Sequence, residues 1–271
     1  MAFFDSLFNK KKKKQLGLAL GSGGAKGMAH IGVIRAFDEE GISFDYVAGA
    51  SIGSVVGAMY AAGYSSASMI KYLTESEVFT AQTIIKLTLA GKTVEDIFSE
   101  VIGGSSFDDL PLPYAAVATD LKSGEEVVLR SGSVAKAMRA SSAIPPVLKP
   151  VEIDGALLID GAYVNSVPAN VVKQMGADFV IGVNLSAELP TNEKIKLVLD
   201  EKYPENGVKI CDRALPGRAY SDFMLAPELG EFSAATVSRA KLNEMYEKGY
   251  ETTREHMPEI LELLKKNKFE W

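Results

Sequence analysis

The feature that most constrains this chain is the stretch of residues 44–53, FDYVAGASIG. A short β-branched and aromatic run ends in Gly49-Ala50-Ser51-Ile52-Gly53, and a helix-like apolar segment follows at residues 54–62. A strand that turns sharply into a helix lifts one serine hydroxyl out of the sheet, and flanking glycines leave room for the tight backbone. The helix that begins there also directs its free N–H groups toward developing negative charge. The stretch therefore predicts Ser51 as a nucleophile on an α/β fold.

A second glycine-rich turn precedes this stretch. Residues 15–20 form a short apolar run that predicts a strand, and residues 21–27 read GSGGAKG. A helical pattern then runs from Met28 to about residue 40 and stops before Gly41, which is a suitable residue to end a helix. With a second strand predicted at residues 44–48, the order is strand, loop, helix, strand, which indicates a parallel sheet.

Three chemistries are considered for this glycine loop. A Walker loop requires Ser or Thr after its lysine, but Gly27 follows Lys26. The dinucleotide-binding pattern requires glycine where Lys26 lies and an acidic residue where the second strand ends, at Gly49. The third is an oxyanion cradle, in which successive small residues at a helix N-terminus point backbone N–H groups into one space. A tight turn without a ligand is the structural alternative, and the nearby serine turn favours the cradle.

The activation of Ser51 by histidine is one alternative, since the chain has two histidines. His30 lies just inside the helix after the glycine loop, where we expect it to pack or cap. His256 lies in a charged helical segment, and the order Ser51, Asp160, His256 formally matches that of an α/β-hydrolase triad. Those folds place several strands before the nucleophile, however, and only one clear strand precedes that of Ser51.

A carboxylate is the favoured base. Residues 156–162 read ALLIDGA, so Asp160 ends an apolar strand, where open α/β sheets keep their functional sites. The Asp154-Gly155 pair upstream lies between two short apolar runs and predicts a β-hairpin turn instead. Asp160 differs because a polar loop follows it rather than a returning strand.

Taken in order, the glycine loop with its basic residue, the Gly-Ala-Ser-Ile-Gly turn and Asp160-Gly161-Ala162 resemble the three motifs of patatin-like phospholipases. The sequence resembles the small bacterial single-domain members. The resemblance extends to residues 29–33, to residues 142–146, and to Asn165 and Pro168, and it is strongest over residues 15–185. It implies a three-layer α/β/α sandwich with a mostly parallel central sheet.

The resemblance also implies roles for individual residues. It makes Ser51 the nucleophile and Asp160 its base, in a Ser–Asp dyad without histidine. The residues expected to form the oxyanion hole are Gly23, Gly24, Ala25 and Lys26, the last in the place of the family's usual Arg or Lys. The glycines and alanine expected to support the motifs are Gly49, Gly53, Gly161 and Ala162. Ser22 departs from the family pattern, because many members have glycine at that position.

The implied function is hydrolysis of lipid acyl esters, of the phospholipase A or lysophospholipase type, through an acyl-enzyme and without metal or organic cofactor. Two alternatives stay open. An acyltransferase would pass the acyl group from the same acyl-enzyme to an alcohol or thiol. A non-catalytic membrane adaptor would use the pocket only to bind lipid, although it has no need for all three motifs together.

The N-terminal tail, residues 1–14, is the most unusual part of the composition. It carries a net charge of +4 in a chain whose total is −6, and that total gives no indication of nucleic-acid binding over the whole surface. Its apolar residues Phe3, Phe4, Leu7 and Phe8 precede the lysine run Lys10–Lys14. This combination predicts peripheral contact with an anionic membrane, and a disordered leader is the alternative. Residues 15–271 are predicted to form one domain.

The chain is expected to be cytoplasmic, with the tail allowing peripheral attachment to the cytoplasmic face of a membrane. The longest apolar runs are too short to span a bilayer. A single cysteine, Cys211, excludes an internal disulfide framework and fits a reducing compartment.

Residues 64–110 or 187–217 could form a moving lid over the site. The patterns also predict further elements: helices at 66–76, 77–90, 94–101, 134–140, 168–175, 232–255 and 258–268, strands at 114–118, 178–184 and 223–226, and a hairpin at 121–130.

Overall fold

The computed structural model describes residues 13–75, 93–145, 147–185, 219–236 and 238–271. Several predictions fall outside these ranges. They are the membrane contact of the tail up to residue 12, the helix at residues 77–90, the segment 187–217 and the surroundings of Cys211.

In the described part of the chain, eight strands form one sheet in the order β5-β6-β3-β2-β1-β7-β8, with β4 also paired to β3. The strands are β1 Leu16–Leu20, β2 Tyr46–Ala50, β3 Tyr114–Asp120, β4 Glu126–Leu129, β5 Val151–Ile153, β6 Ala156–Asp160, β7 Phe179–Val183 and β8 Phe223–Leu225. The neighbours from β3 through β2, β1 and β7 to β8 are parallel. The pairs β3–β4, β3–β6 and β5–β6 are antiparallel, so the sheet is mixed but mostly parallel at its centre.

Helices cover both faces of this sheet. They are α1 Met28–Glu39, α2 Ile52–Ala61, α3 Ser66–Glu75, α4 Val94–Val101, α5 Val134–Ser141, α6 Ala169–Met175 and α7 Arg239–Lys266. Successive residues of a strand point to opposite faces, and β1 follows this rule: Leu18 belongs to the core that contains α1, α2 and α7, whereas Ala19 belongs to the core that contains α6. The predicted three-layer α/β/α sandwich is confirmed. None of the described helices combines the length and apolarity that crossing a bilayer requires.

One helix prediction is wrong. The pattern predicts two terminal helices, at residues 232–255 and 258–268. A proline inside a helix lacks an N–H and crowds the carbonyl four residues earlier, so a break before Pro258 is the local expectation. Instead α7 is continuous and contains Pro258, and it begins only at Arg239. One stripe of buried residues on α7 explains this continuity, because its members recur every three or four positions on both sides of the proline: Met245, Gly249, Thr253, Met257, Ile260 and Leu264. Burial of one unbroken stripe against the core therefore outweighs the local cost of the proline.

The register of β3 determines where the functional loops meet. Val117 pairs with Ala50, the last residue of β2, and the next residue, Ala118, pairs with Asp160, the last residue of β6. Because β2 is parallel to β3 and β6 is antiparallel to it, the two strands end at this point from opposite directions. Ser51, which follows Ala50, is thereby brought next to Asp160.

Candidate active site

Ser51 lies at a sharp turn between β2 and α2, with φ 53° and ψ −126°. Such a conformation costs a non-glycine residue about 1–3 kcal/mol, and it persists only when the surroundings hold it. The flanking glycines are required by close backbone approaches. A Cβ on Gly49 would lie 2.1 Å from the carbonyl oxygen of Gly53, and a Cβ on Gly53 would lie 2.1 Å from that of Leu20. The predicted serine turn thus has glycine where a side chain could not be accommodated.

The hydroxyl of Ser51 donates a hydrogen bond of 2.6 Å to Oδ2 of Asp160. Both residues are buried, with 7% and 1% of their surfaces exposed. The other carboxylate oxygen, Oδ1, accepts from the N–H of Ala162 at 2.8 Å. The backbone of Asp160 is also fixed, because its N–H donates to Ala143 and its carbonyl accepts from the Thr119 hydroxyl. The carboxylate is therefore held in one orientation toward Ser51.

Burial changes the acid–base properties of this carboxylate. It raises the pKa of Asp160 to about 6, although the hydrogen bonds from Ser51 and the Ala162 N–H act in the opposite direction. Asp160 is then still ionised near neutral pH, but it is a stronger base than an ordinary carboxylate, which suits proton abstraction. Burial and the nearby Asp160 also raise the pKa of Tyr163, so that phenol stays neutral.

Neither histidine bonds to Ser51. His30 is completely buried and donates from Nε2 to the carbonyl of Gly21 at 2.7 Å, and burial lowers its pKa to about 4. His256 lies on α7, where Nδ1 contacts the carbonyl of Thr252 at 2.9 Å. The arrangement brings Ser51 to Asp160 directly, without the imidazole of the triad alternative. Among the residues with described positions, no three His, Cys, Asp or Glu side chains form a group that could hold a metal ion.

The glycine loop forms a 3-10 turn, Gly24–Gly27, that leads into α1. It packs beside the serine turn, since a Cβ on Gly27 would lie 2.1 Å from the side chain of Ile52. Two of its N–H groups are engaged: that of Ala25 donates to Ala234 at 2.8 Å and that of Lys26 to Gly23 at 3.2 Å. Within the described residues, the N–H groups of Gly23 and Gly24 donate no hydrogen bond. Of the four residues expected to form the oxyanion hole, Gly23 and Gly24 are therefore the two whose backbone N–H groups are available as donors.

Ser22, which departs from the family pattern, has no positive φ and so does not need to be glycine. Its N–H donates to the carbonyl of Ser166 at 3.0 Å, and the two hydroxyl oxygens lie 2.7 Å apart. Both side chains are buried. The pair ties the glycine loop to the segment that follows Asp160, a connection that sequence reasoning missed.

Sequence reasoning also missed Ser141, the last residue of α5. Its Oγ accepts a hydrogen bond of 3.0 Å from the N–H of Ser51 and donates one of 2.6 Å to the carbonyl of Val117. The available signal was its position, immediately before residues 142–146 of the family-like pattern. A serine at the end of a helix gives no other indication of such a contact.

Comparison with known sequences gives a consistent result. The sequence model for patatin-like phospholipase matches residues 18–173. The chain is 39% identical over 181 residues to an uncharacterised NTE family protein of Mycobacterium tuberculosis, and 34% identical over 190 residues to human patatin-like phospholipase domain-containing protein 6. These matches cover 64% and 65% of this chain, but 49% and 14% of the relatives. The chain therefore spans about half the length of the first relative and a smaller share of the second.

Among solved structures, VipD from Legionella pneumophila is similar in fold. Its TM-score is 0.50 at 16% sequence identity, and the match covers 90% of this chain and 67% of VipD. At this level of identity the likeness concerns the fold alone.

Proposed function

The chain belongs to the patatin-like phospholipase family, and from that premise we propose that it hydrolyses acyl esters of lipids through Ser51 and Asp160. The observation that carries the proposal is the 2.6 Å hydrogen bond between Ser51 Oγ and Asp160 Oδ2, made at a strained strand-to-helix turn. The substrates we propose are phospholipids and lysophospholipids, cleaved at a carboxylic ester as in phospholipase A or lysophospholipase reactions.

In the acylation step, Ser51 Oγ attacks the carbonyl carbon of the ester while its proton moves to Asp160 Oδ2. The electron pair of the carbonyl bond moves onto the carbonyl oxygen, which then accepts hydrogen bonds from the N–H groups of Gly23 and Gly24. One such donor is typically worth about 2.7–4 kcal/mol of transition-state stabilisation. As the tetrahedral intermediate collapses, the bond to the leaving alcohol breaks and the alcohol oxygen takes the proton from Asp160. The acyl group stays on Ser51, and Asp160 is again ionised.

In the deacylation step, a water molecule gives a proton to Asp160 and attacks the acyl carbon. The second tetrahedral intermediate collapses, the fatty acid leaves, and Ser51 Oγ takes the proton back. An acyltransferase would replace this water with an alcohol or thiol. Product analysis with a glycerol lipid or a carrier thiol in competition with water separates the two reactions, and we expect the free fatty acid to predominate.

A fluorophosphonate probe and a short-chain p-nitrophenyl ester test the proposal together. We expect wild-type protein to be labelled and to cleave the ester, and Ser51→Ala to do neither while keeping its far-UV circular dichroism. Ser131→Ala, which changes an exposed serine, serves as the matched control and should behave like wild type. Undiminished hydrolysis by Ser51→Ala would refute the proposed nucleophile. A wild-type protein that binds lipid vesicles but is neither labelled nor active would favour the adaptor.

We further propose that the protein is cytoplasmic and contacts an anionic membrane peripherally through its tail. The proposed contact residues are Phe3, Phe4, Leu7, Phe8 and Lys10–Lys14. The described chain starts at Lys13, just before β1, and β1 is parallel to β2, so the tail joins the sheet at the end opposite to Ser51. We therefore assign the tail the role of a tether, at the end of the sheet away from Ser51.

Apolar surface near the site supports lipid access at the other end. Ile144 and Val147 are 45% and 80% exposed, and they follow Ala143, whose carbonyl bonds to Asp160.

Co-sedimentation with anionic liposomes, comparing the full chain with one that lacks residues 1–14, tests the tether. Equal binding of the two proteins would discard the role of the tail, whereas weaker binding of the shortened chain is the expected result.

A further inference from the structure

Hydrogen bonds hold the strained backbone of Ser51 at both its N–H and its carbonyl. Its carbonyl accepts hydrogen bonds from the N–H and the hydroxyl of Ser54, at 2.8 Å and 2.6 Å. Its N–H donates to the side chain of Ser141 at 3.0 Å. The direction in which the Ser51 hydroxyl points therefore depends on a side chain that lies 90 positions away in the chain.

The hydroxyl of Ser141 is oriented to accept the N–H of Ser51. The side chain is completely buried, and its single proton is donated to the carbonyl of Val117 at 2.6 Å. A hydroxyl has one donor and two acceptor lone pairs, so its lone pairs are left to face the N–H of Ser51. Val117 itself lies on β3, between the ends of β2 and β6, and its carbonyl packs against Gly161, where a Cβ would approach to 2.1 Å. The Ser141 hydroxyl, which accepts the N–H of Ser51, is thus bonded to β3, the strand at which the turns of Ser51 and Asp160 meet.

The same short segment also holds Asp160. The carbonyl of Ala143 accepts the N–H of Asp160 at 2.9 Å, only two positions after Ser141. Residues 141–143 therefore bond to the backbone of both Ser51 and Asp160, whose side chains meet at 2.6 Å. We propose that residues 141–143 act as a brace that sets the separation of the two reacting side chains, and that Ser141 is a positioning residue for the hydrolysis. This inference rests on the function proposed above.

The role of Ser141 is indirect, because it bonds to the N–H of Ser51 and not to its reacting oxygen. Without the Ser141 hydroxyl, the N–H of Ser51 and the carbonyl of Val117 both lose a buried partner, and the turn is free to relax. Displacement of a reacting group by about 1 Å can reduce a rate by about 100-fold. Binding of an ester does not use this N–H, so we expect Ser141→Ala to reduce kcat by about 10- to 100-fold and to change KM by less than about threefold.

A second signature comes from the acid–base behaviour of Asp160. The hydrogen bond from Ser51 lowers the pKa of this carboxyl, against the effect of burial. If the bond is weakened, the pKa rises and the acid limb of kcat/KM moves to higher pH, because the base must be ionised. In the described part of the chain, the carboxylate accepts hydrogen bonds from the Ser51 hydroxyl and the Ala162 N–H, and the Tyr163 phenol nearby stays neutral because burial and Asp160 raise its pKa. A loss of stability alone would leave the acid limb in place.

The test compares Ser141→Ala with Thr253→Val in the full chain. Thr253 is the matched control because its hydroxyl is also completely buried and donates to a carbonyl, that of Gly249 at 2.8 Å, but within α7. Hydrolysis of a p-nitrophenyl ester across pH and thermal melting are measured for both variants. We expect both to melt at lower temperature, and only Ser141→Ala to lose kcat and to shift its acid limb upward.

Two results would overturn the inference. One is a wild-type kcat and acid limb in Ser141→Ala. The other is a loss of activity in both variants that only follows their melting temperatures. If Ser141→Ala does not fold, Ser141→Cys replaces it, since a thiol is a weaker donor and acceptor of similar shape; a partial loss of kcat is expected, and a wild-type kcat would count against the brace. Ser51→Ala separates this question from the proposed function. Full activity of Ser51→Ala would contradict the proposed function itself. Loss of activity in Ser51→Ala together with full activity in Ser141→Ala would contradict only the brace.

Discussion

The hydroxyl of Ser51 lies 2.6 Å from Oδ2 of Asp160, although 109 positions separate the two residues in the chain. They meet because the last residues of β2 and β6 pair with consecutive residues of β3, Val117 and Ala118. Two strands that end toward each other place a buried carboxylate directly against the strained serine. Burial of the carboxylate at this contact raises its pKa, although the hydrogen bond from Ser51 acts in the opposite direction, and this shift is the basis of two predictions.

The first prediction concerns the pH dependence of hydrolysis. Burial raises the pKa of Asp160 to about 6, and the proposed base must be ionised to accept the proton of Ser51. We expect kcat/KM for a p-nitrophenyl ester to fall on the acid side with a midpoint near pH 6 and to be level above about pH 7. Measurement between about pH 4.5 and about pH 8.5 covers this transition. A profile that stays level down to about pH 5, as an ordinary aspartate with a pKa of about 3.9 would give, would contradict the effect of burial.

The second prediction concerns stability and uses Asp160→Asn. The pKa of Asp160 is raised from 3.8 in the unfolded chain to about 6 in the folded protein, so the folded state binds this proton more tightly. The stabilisation linked to this proton is fully present below about pH 4 and is lost as the pH rises through about 6. The free energy of unfolding changes by about 3 kcal/mol across this range. Asparagine keeps an oxygen for the Ala162 N–H without the buried charge.

Asp160→Asn should therefore be inactive but more stable than wild type at pH 8, with the advantage disappearing near pH 4. Urea denaturation of both proteins at the two pH values gives the free energies of unfolding. Parallel pH dependence in the two proteins would show that the carboxylate of Asp160 is not destabilised by burial.

The third prediction separates the dyad from the triad alternative. His256 contacts the carbonyl of Thr252 in its own helix, and the Ser51 hydroxyl is already bonded to Asp160. We expect His256→Ala to keep wild-type kcat and KM for the p-nitrophenyl ester, whereas Asp160→Ala should be inactive. A loss of more than about tenfold in His256→Ala, at an unchanged melting temperature, would return histidine to the mechanism.

The two reacting residues could be predicted from sequence because each has a local signature. Ser51 follows a short β-branched and aromatic run and lies between glycines, and Asp160 ends an apolar strand before glycine. Ser141, Ser166 and Ala234 could not be predicted in this way. Each acts through a contact made across the fold, and the residues around it give no local indication of its partner.

The wrong prediction at Pro258 has the same origin. A proline in a helical pattern is a local signal for a break, and the sequence around it contains nothing stronger. The opposing effect is the burial of residues on both sides of it, such as Met257 and Ile260, and this depends on the surface that α7 covers. Local patterns therefore predicted the strands and turns better than the continuity of the last helix.

The fourth prediction tests the link between the glycine loop and the segment after Asp160. The Ser22 and Ser166 hydroxyls lie 2.7 Å apart and are buried, so the loss of either leaves the other without this partner. Ser22→Ala and Ser166→Ala should each lower the free energy of unfolding by about 1 kcal/mol. The double variant should lose less than the sum, because the two changes remove one shared bond. Strict additivity in urea denaturation would contradict the link.

The fifth prediction tests the oxyanion donors with two glycines of similar backbone conformation. Gly24 and Gly41 have φ values of 57° and 71°, so alanine at either position should cost about 1–2 kcal/mol of stability. A Cβ on Gly24 would lie 2.5 Å from the carbonyl oxygen of Ala234, whereas a Cβ on Gly41 would meet nothing within 4 Å. Relief of that clash must move the glycine loop and its free N–H groups.

We therefore expect Gly24→Ala to lower kcat by about 100- to 1,000-fold, the typical effect of removing one oxyanion donor, while Gly41→Ala keeps wild-type kcat. Ester hydrolysis and thermal melting of the two variants, measured side by side, separate the loss of a donor from the loss of stability. Equal activity in the two variants at equal melting temperatures would remove the Gly24 N–H from the proposed mechanism.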